Sequence, residues 1–518
     1  MSQPYDVIIA GAGPIGLFLA CELRLAGASV LVLERDPRPE SPFKVEPLGF
    51  RGINTVSIEG FYRRGLLNKV FDPSERSSFF QKQPGFKFGG HFAGMMFNAN
   101  KLELDRWKYR LQGPALLPGP TTIERIETAL TERAESLGVT ILRGHGVTEI
   151  AAQDDDSVTV EAGENQSFRG KWLVGCDGGR STVRKAAGFD FVGTEAKFTG
   201  YAVECELDHS EKLKPGFNAT NTGMYVFGGP AGFVHLVDFD GAAFDRTQEI
   251  TREHVQDVLS RVTGTTDVKI TTMHRASSFT DRSKQATSYR KGRVLLAGDA
   301  AHIHSPLGAQ GLNLGLGDAM NLGWKLAATL RLESGLDGSS ADLALLDTYD
   351  SERHPVAAWV LGWTRAQVSA LQPDLYGAAV RALIRDLIDT TDGTNLFIDR
   401  FWGLSLRYKL GDDEAHAHPV VGCSAPDFEL LDGSRLGPKL EGGRGLLVDF
   451  EDSTVLKELV IGGKYEARVE YLGVGAKDRR DLRALLVRPD GVVAWAAEDN
   501  VDPDVDAAKT ALEQWFGF

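Results

Sequence analysis

The first thirty-four residues limit the fold more than any other stretch. Asp6-Val7-Ile8-Ile9-Ala10 is an apolar, β-branched run of the kind found in strands buried on both faces. Gly11-Ala12-Gly13-Pro14-Ile15-Gly16 follows at once, then an apolar helix through Leu17, Leu19, Ala20 and Leu23, then a second strand, Val30-Leu31-Val32-Leu33, ending on Glu34. This order predicts a βαβ unit with a G-x-G-x-x-G turn. Glycines there let the backbone approach a pyrophosphate at a helix N-terminus, and an acidic residue about 20 positions on meets ribose hydroxyls. The chain is therefore expected to be α/β, with Gly11, Gly13, Pro14, Ile15, Gly16, Glu34 and Arg35 around a dinucleotide.

Two later segments repeat the pattern of a buried strand that breaks at an Asp-Gly or Gly-Asp turn. Trp172-Leu173-Val174-Gly175-Cys176 runs into Asp177-Gly178-Gly179-Arg180-Ser181, ahead of a basic helix start. Arg293 to Leu326 places a strand before Gly298-Asp299, then a Pro306 to Gly311 loop, then a helix beginning near Leu312-Asn313. Asp299 at a strand end can accept from a polyol hydroxyl. The helix start offers free N–H donors and the positive end of a dipole, a good seat for a flat ring that gains negative charge on reduction. A flavin has these properties.

In this order the three segments resemble the class A flavoprotein monooxygenases, aromatic hydroxylases with one FAD-binding domain and no separate nicotinamide domain. The resemblance continues through Leu345-Leu346-Asp347-Thr348-Tyr349 and Glu352-Arg353-His354-Pro355, and is strongest to the enzymes acting on polycyclic aromatic polyketides and related antibiotics, such as anhydrotetracycline, aklavinone and rifampicin monooxygenases. It implies a Rossmann-like FAD-binding domain over 1–189 and 288–410, a β-rich substrate domain over 190–287, and a C-terminal thioredoxin-like domain over 411–518. That last module has Cys423 without a C-x-x-C partner, so thiol exchange is not expected and a structural role is, with an oligomer contact as a candidate. The resemblance also implies FAD as cofactor and NADPH or NADH as co-substrate, with oxygen transferred from a flavin C4a-hydroperoxide to an aromatic carbon. Asp177, Gly178, Asp299, Pro306, Gly308, Gly311, Leu312 and Asn313 then join the cofactor set, with Pro306 and Gly308 on the peroxide side.

Bulk properties narrow the remaining choices. A formal charge of −14 disfavours non-specific binding to nucleic acid or to an anionic membrane. The N-terminal apolar run begins at Asp6 and is broken by the glycine turn and Glu22, so it reads as neither signal peptide nor membrane span, and a cytoplasmic location is expected. Four scattered cysteines suit a reducing compartment. The expected partners are a small aromatic substrate, O₂ and NAD(P)H, with a homodimer as the candidate assembly.

Between the cofactor segments the βαβ rhythm gives way to runs such as Gly200 to Cys205 and Phe233 to Val237, expected to be a sheet covering the substrate. Met95, Met96, Phe97, Tyr225, Phe227 and Phe233 are candidates for an apolar substrate cavity, and His235 and Tyr225 are candidate bases for a phenol. His302 and His304 are expected to satisfy backbone groups, and His416 and His418 to be an exposed pair in a linker rather than metal ligands; no metal is expected. Val56 stands where many relatives carry Arg, and Gly119 where they often carry Gln, leaving Arg51 as a candidate replacement for the missing cation. A Baeyer–Villiger oxygenase on the same scaffold and a flavin-binding protein without turnover are the alternatives.

Overall fold

The computed structural model describes residues 5–72, 84–164, 166–228, 232–335, 342–411, 417–499 and 501–517. Its central sheet holds five parallel strands in the order Thr140–Arg143, Val30–Glu34, Tyr5–Ala10, Gln166–Gly175 and Val294–Leu296. Ala10 lies opposite both Leu33 and Gly175, and Gly175 lies opposite Leu296, so three strands that lead into motifs, and the strand ending on Glu34, finish in line at one edge. Open parallel sheets bind ligands beyond such an edge. The amino-terminal half of Gln166–Gly175 also pairs with the hairpin Val147–Gln153 and Val158–Ala162; its acidic turn is held by Asp154, which accepts from the N–H groups of Asp156 and Ser157.

The helix Pro14–Leu25 packs on the sheet beside the long helix Gly311–Ser334. In the long helix every residue from Asn313 to Leu330 except Gly317 is buried, as expected of a helix surrounded by core rather than lying on it.

A separate antiparallel sheet follows the order Gly216–Ala219, Gly223–Phe227, Phe233–Asp238, Thr199–Asp208, Lys269–Thr280. Alternate side chains divide between its faces. Tyr201, Val203, Tyr225, Phe227, Val234 and Leu236 pack with Val255, Val258, Leu259 and Val262 of the helix Arg252–Thr263. Met224, Val226, Val237 and Phe279 face the other way, into a cluster shared with Phe92, Phe97 and Leu307. This corrects the placing of Tyr225 and Phe227 at a substrate cavity: both are buried under that helix, and the Tyr225 hydroxyl accepts from the Lys214 N–H at 3.3 Å.

The C-terminal region forms a four-stranded sheet, Val469–Gly473, Gly445–Asp449, Leu482–Val487 and Val493–Glu498, in which the first pair is parallel and the others antiparallel. It docks through buried charge. Arg488 donates to both Glu352 oxygens at 2.8 Å and to Asp490 at 2.5 Å, while Lys325 lies 3.0 Å from Glu352 and the Trp324 indole donates to Asp490 at 3.2 Å. Arg64 pairs with Glu22 at 2.6 and 2.7 Å and donates to the carbonyls of Leu440 and Pro489.

Candidate active site

The three glycines of the first turn have different surroundings. Gly11 has φ +106°, and a Cβ there would come within 2.5 Å of the Cys176 carbonyl oxygen. A Cβ on Gly16 would overlap the Gly11 carbonyl, so this position sets how closely the helix sits on its strand. Gly13 has nothing within 4 Å of such a Cβ, leaving the backbone ahead of the helix open to a ligand. Glu34 is held beside this opening: its Oε2 accepts from the Ala12 N–H at 2.7 Å and its Oε1 from the Asp36 N–H at 2.8 Å. The Arg35 side chain is 85 % exposed and pairs with Asp36. Ile15 packs against Gly298 and Gly315 and so links the first turn to the long helix.

At the second turn Asp177 Oδ2 accepts from the N–H groups of Thr182 and Val183, while its Oδ1 is buried with no partner among the described residues. Gly178, at φ +78°, makes the turn. At the third, Asp299 sits on the short turn Gly298–Ala300, between two buried residues, and is itself exposed. Burial raises its carboxyl above the usual value, an effect opposed by His302 and Arg51. Arg51 lies close enough to influence both Asp299 and His235, and its guanidinium donates to the carbonyls of Leu48 and Phe50.

Gly308 (φ +84°) and Ala309 (φ +52°) turn the loop into the long helix. Its first recorded hydrogen bond runs from Leu314 N–H to the Gln310 carbonyl, so the N–H groups of Gly311, Leu312 and Asn313 precede the helical ladder. The Asn313 side chain is already engaged: it accepts from the Asn54 N–H and donates to the carbonyls of Gly52 and Ala309. Pro306 is exposed on the loop.

Sequence reasoning missed the support beneath this loop. Asp318 Oδ2 accepts from the Gly298 N–H and lies 2.7 Å from His302 Nε2, while Asp318 Oδ1 accepts from Arg353, which also donates to the Leu314 carbonyl. His302 thus pairs with a carboxylate, not with the backbone expected of it. Asp318, the one charge between Gly311 and Trp324, was the available signal. His304 does meet the backbone, with Nδ1 2.8 Å from the Ser305 carbonyl, and its Nε2 is buried without a partner among the described residues.

A cleft of about 320 Å³ opens against the helix start, walled by Phe50, Phe71, Phe88, Pro118, Gly308 and Phe401 among others. A second, of about 290 Å³, shares Asn54, Gln310 and Asn313 with it and includes Val56 and Arg400. Gly119 lines the first cleft. Met95 and Phe97 are buried in the cluster behind that wall and do not line the cleft, a correction to their expected role. Phe233 is half-buried, its ring centroid 4.3 Å from that of His235. Burial pushes the His235 imidazole down to about 4, and Arg51 pushes it the same way.

His416 lies outside the described residues. His418 is not exposed: its side chain is 11 % accessible and its Nδ1 accepts from the Val420 N–H. Among the described residues no group of three or more His, Cys, Asp or Glu is placed to hold a metal, and no helix is long and apolar enough to cross a membrane.

The open backbone at Gly13, the unpartnered oxygen of Asp177 and the free N–H groups at Gly311 to Asn313 fit an extended dinucleotide with a flat ring at one end. The family model for an FAD binding domain matches residues 4–364, and that for the C-terminal part of aromatic-ring hydroxylases matches residues 418–518. The chain belongs to the FAD-dependent aromatic-ring hydroxylases. It is 50 % identical to a monooxygenase of Claviceps purpurea over 98 % of this chain and 97 % of the relative. Identity to the rifampicin monooxygenase of Streptomyces venezuelae is 37 %, over 99 % of each. The anhydrotetracycline hydroxylase OxyS of Streptomyces rimosus superimposes with a TM-score of 0.81 at 35 % identity, over all of both chains. This hydroxylase is a monooxygenase that carries FAD and uses NAD(P)H and O₂.

Proposed function

We propose that this hydroxylase acts on a planar, oxygenated polycyclic aromatic. One observation carries the reading: the cleft of about 320 Å³ is walled by aromatic side chains and meets the free helix start at Gly308 and Asn313. Its size and lining suit an aromatic ligand, and relatives named for rifampicin and anhydrotetracycline support it. Bound FAD supplies the redox chemistry, accepting hydride from NAD(P)H and activating O₂ for transfer to carbon.

The chain's own residues hold and protect. Gly13 and the following helix N-terminus receive the pyrophosphate, Glu34 the ribose, and Asp177 and Asp299 accept from hydroxyls of the polyol portion. The N–H groups of Gly311, Leu312 and Asn313 face the ring edge that gains negative charge, aligned beforehand by Asn313 and Asp318. Pro306 to Gly308 form the wall next to the substrate, Phe50 and Phe88 exclude water, and His235 and Phe233 stand on the sheet face across from the loop. We assign the cofactor scaffold to 1–189 and 288–410, the covering sheet to 190–287 and a docking module to 411–518. Four free cysteines support a cytoplasmic setting.

The test follows NADPH oxidation, peroxide release and product mass with rifampicin, anhydrotetracycline and cyclic ketones. Substrate-stimulated oxidation giving a product heavier by one oxygen and carrying a new aromatic hydroxyl is expected. A lactone would reassign the protein to ring insertion, and a yellow protein that none of these stimulates would remove the proposed substrate class.

A further inference from the structure

The hairpin Phe88–Phe92 and Met95–Asn98 turns at Ala93-Gly94, both with positive φ (51° and 81°), the two-residue geometry that matches strand twist. His91 lies on its first strand. The Gly94 N–H donates to His91 Nδ1 at 3.3 Å, so that nitrogen is an acceptor. Burial pushes the imidazole down to about 4, which leaves it neutral at pH 7 with its proton on Nε2. No described residue accepts from that N–H, and the atom is not among the sealed unpartnered groups.

The position of the ring says what it faces. Its centroid is 4.3 Å from that of Phe217 and 6.2 Å from that of Phe401, which lines the cleft. Phe217 begins a straight cross-strand row through Val226, His235, Ala202 and Ser277 on one face of the antiparallel sheet. All five are half-buried, whereas Tyr201, Tyr225 and Leu236 on the other face are fully buried, so this row keeps accessible surface at the margin of the cluster that holds Phe92 and Phe97. Strands are about 4.8 Å apart, which sets Phe217 and His235 about 10 Å apart across Val226. Gln367 couples the hairpin to the loop before the long helix: it accepts from the Ala93 N–H at 2.9 Å and donates to the Leu307 carbonyl at 3.2 Å.

We infer that His91 Nε2–H donates a hydrogen bond to a ketone or phenolate oxygen of the substrate, holding one end of the aromatic system over Phe217 and so selecting which ring edge meets the Pro306 to Gly308 loop. The inference rests on the reading of the cleft as an aromatic-substrate site. His91 is a binding residue here and transfers no proton.

The experiment uses FAD-loaded full-length protein with two probes, 1,8-dihydroxyanthraquinone, which presents oxygen acceptors, and anthracene, which has the same ring system and none. Binding is followed by flavin absorbance and probe fluorescence. Wild type is expected to prefer the dihydroxyanthraquinone by about tenfold or more, the size of one desolvated hydrogen bond. His91→Phe should bind both probes about equally with FAD content unchanged, and His91→Gln, whose amide donates, should recover most of the preference; His91→Leu replaces His91→Phe if that variant does not retain FAD. Equal binding by wild type, or an unchanged preference in His91→Phe, overturns the inference. His91-dependent discrimination without hydroxylation of any compound would remove the proposed activity and leave this site standing.

Discussion

Single residues at the cofactor edge act through charge and hydrogen bonding. Glu34 orders the first turn through Ala12 and is proposed to meet the ribose, so Glu34→Ala is expected to weaken FAD binding about tenfold or more, measured by flavin fluorescence on titration. Arg51 opposes the burial that raises the Asp299 carboxyl. Arg51→Ala should therefore lower FAD retention and slow reduction by NADPH in stopped flow; unchanged values for both would remove Arg51 as the replacement for the cation absent at Val56. The histidines set a pH dependence. Burial holds His91, His235 and His304 at about 4, against about 6.5 in an unfolded chain. Between those values the unfolded chain binds more protons than the folded one, so stability falls as pH drops through the window. Thermal midpoints should decline from pH 6.5 to 4, less steeply in His304→Gln. Glu34 was legible in the sequence because it ends a strand at a fixed spacing. His91 was not, since nothing in Phe88 to Phe92 tells which ring nitrogen will meet the Gly94 N–H.

Elements explain why the same substitution has different effects three residues apart. Gly13→Val should give a folded protein that does not take up FAD, because its Cβ points into open space, the proposed seat of the pyrophosphate. Gly16→Val should lose the fold itself, because its side chain would meet the Gly11 carbonyl between helix and strand. Circular dichroism and flavin absorbance of the two variants separate these outcomes; a Gly13→Val protein retaining yellow colour would count against the pyrophosphate seat. The buried parallel strands and their turns were readable because continuous apolar runs ending in glycine have few other uses. The face of the antiparallel sheet was not. Alternation divides Tyr225 from Val226, but the choice of buried side is made by the helix Arg252–Thr263, more than twenty residues further along the chain.

For the whole molecule, the long helix is the common member of both halves. Gly311 at its start borders the proposed cofactor edge, while Asn321, Trp324 and Lys325 in its middle meet Glu352, Arg488 and Asp490. Removing one partner of a buried charge cluster strands the others, so Arg488→Met should destabilise the protein by about 3–5 kcal/mol, read from denaturant unfolding. Adding Glu352→Gln and Asp490→Asn should recover part of that loss. Docking of the C-terminal sheet was hidden in the sequence because Glu352 and Arg488 are 136 residues apart. The buried lysine has an evolutionary consequence. A gene that lost the C-terminal segment would leave Lys325 and Glu352 on a newly exposed, largely apolar surface, and a gene that acquired an unrelated segment would lack the Arg488 and Asp490 that complete their charge cluster. What reads as a separable cassette can therefore be inherited only together with its host, and exchange of this segment between relatives should succeed only where Lys325, Glu352, Arg488 and Asp490 travel as a set.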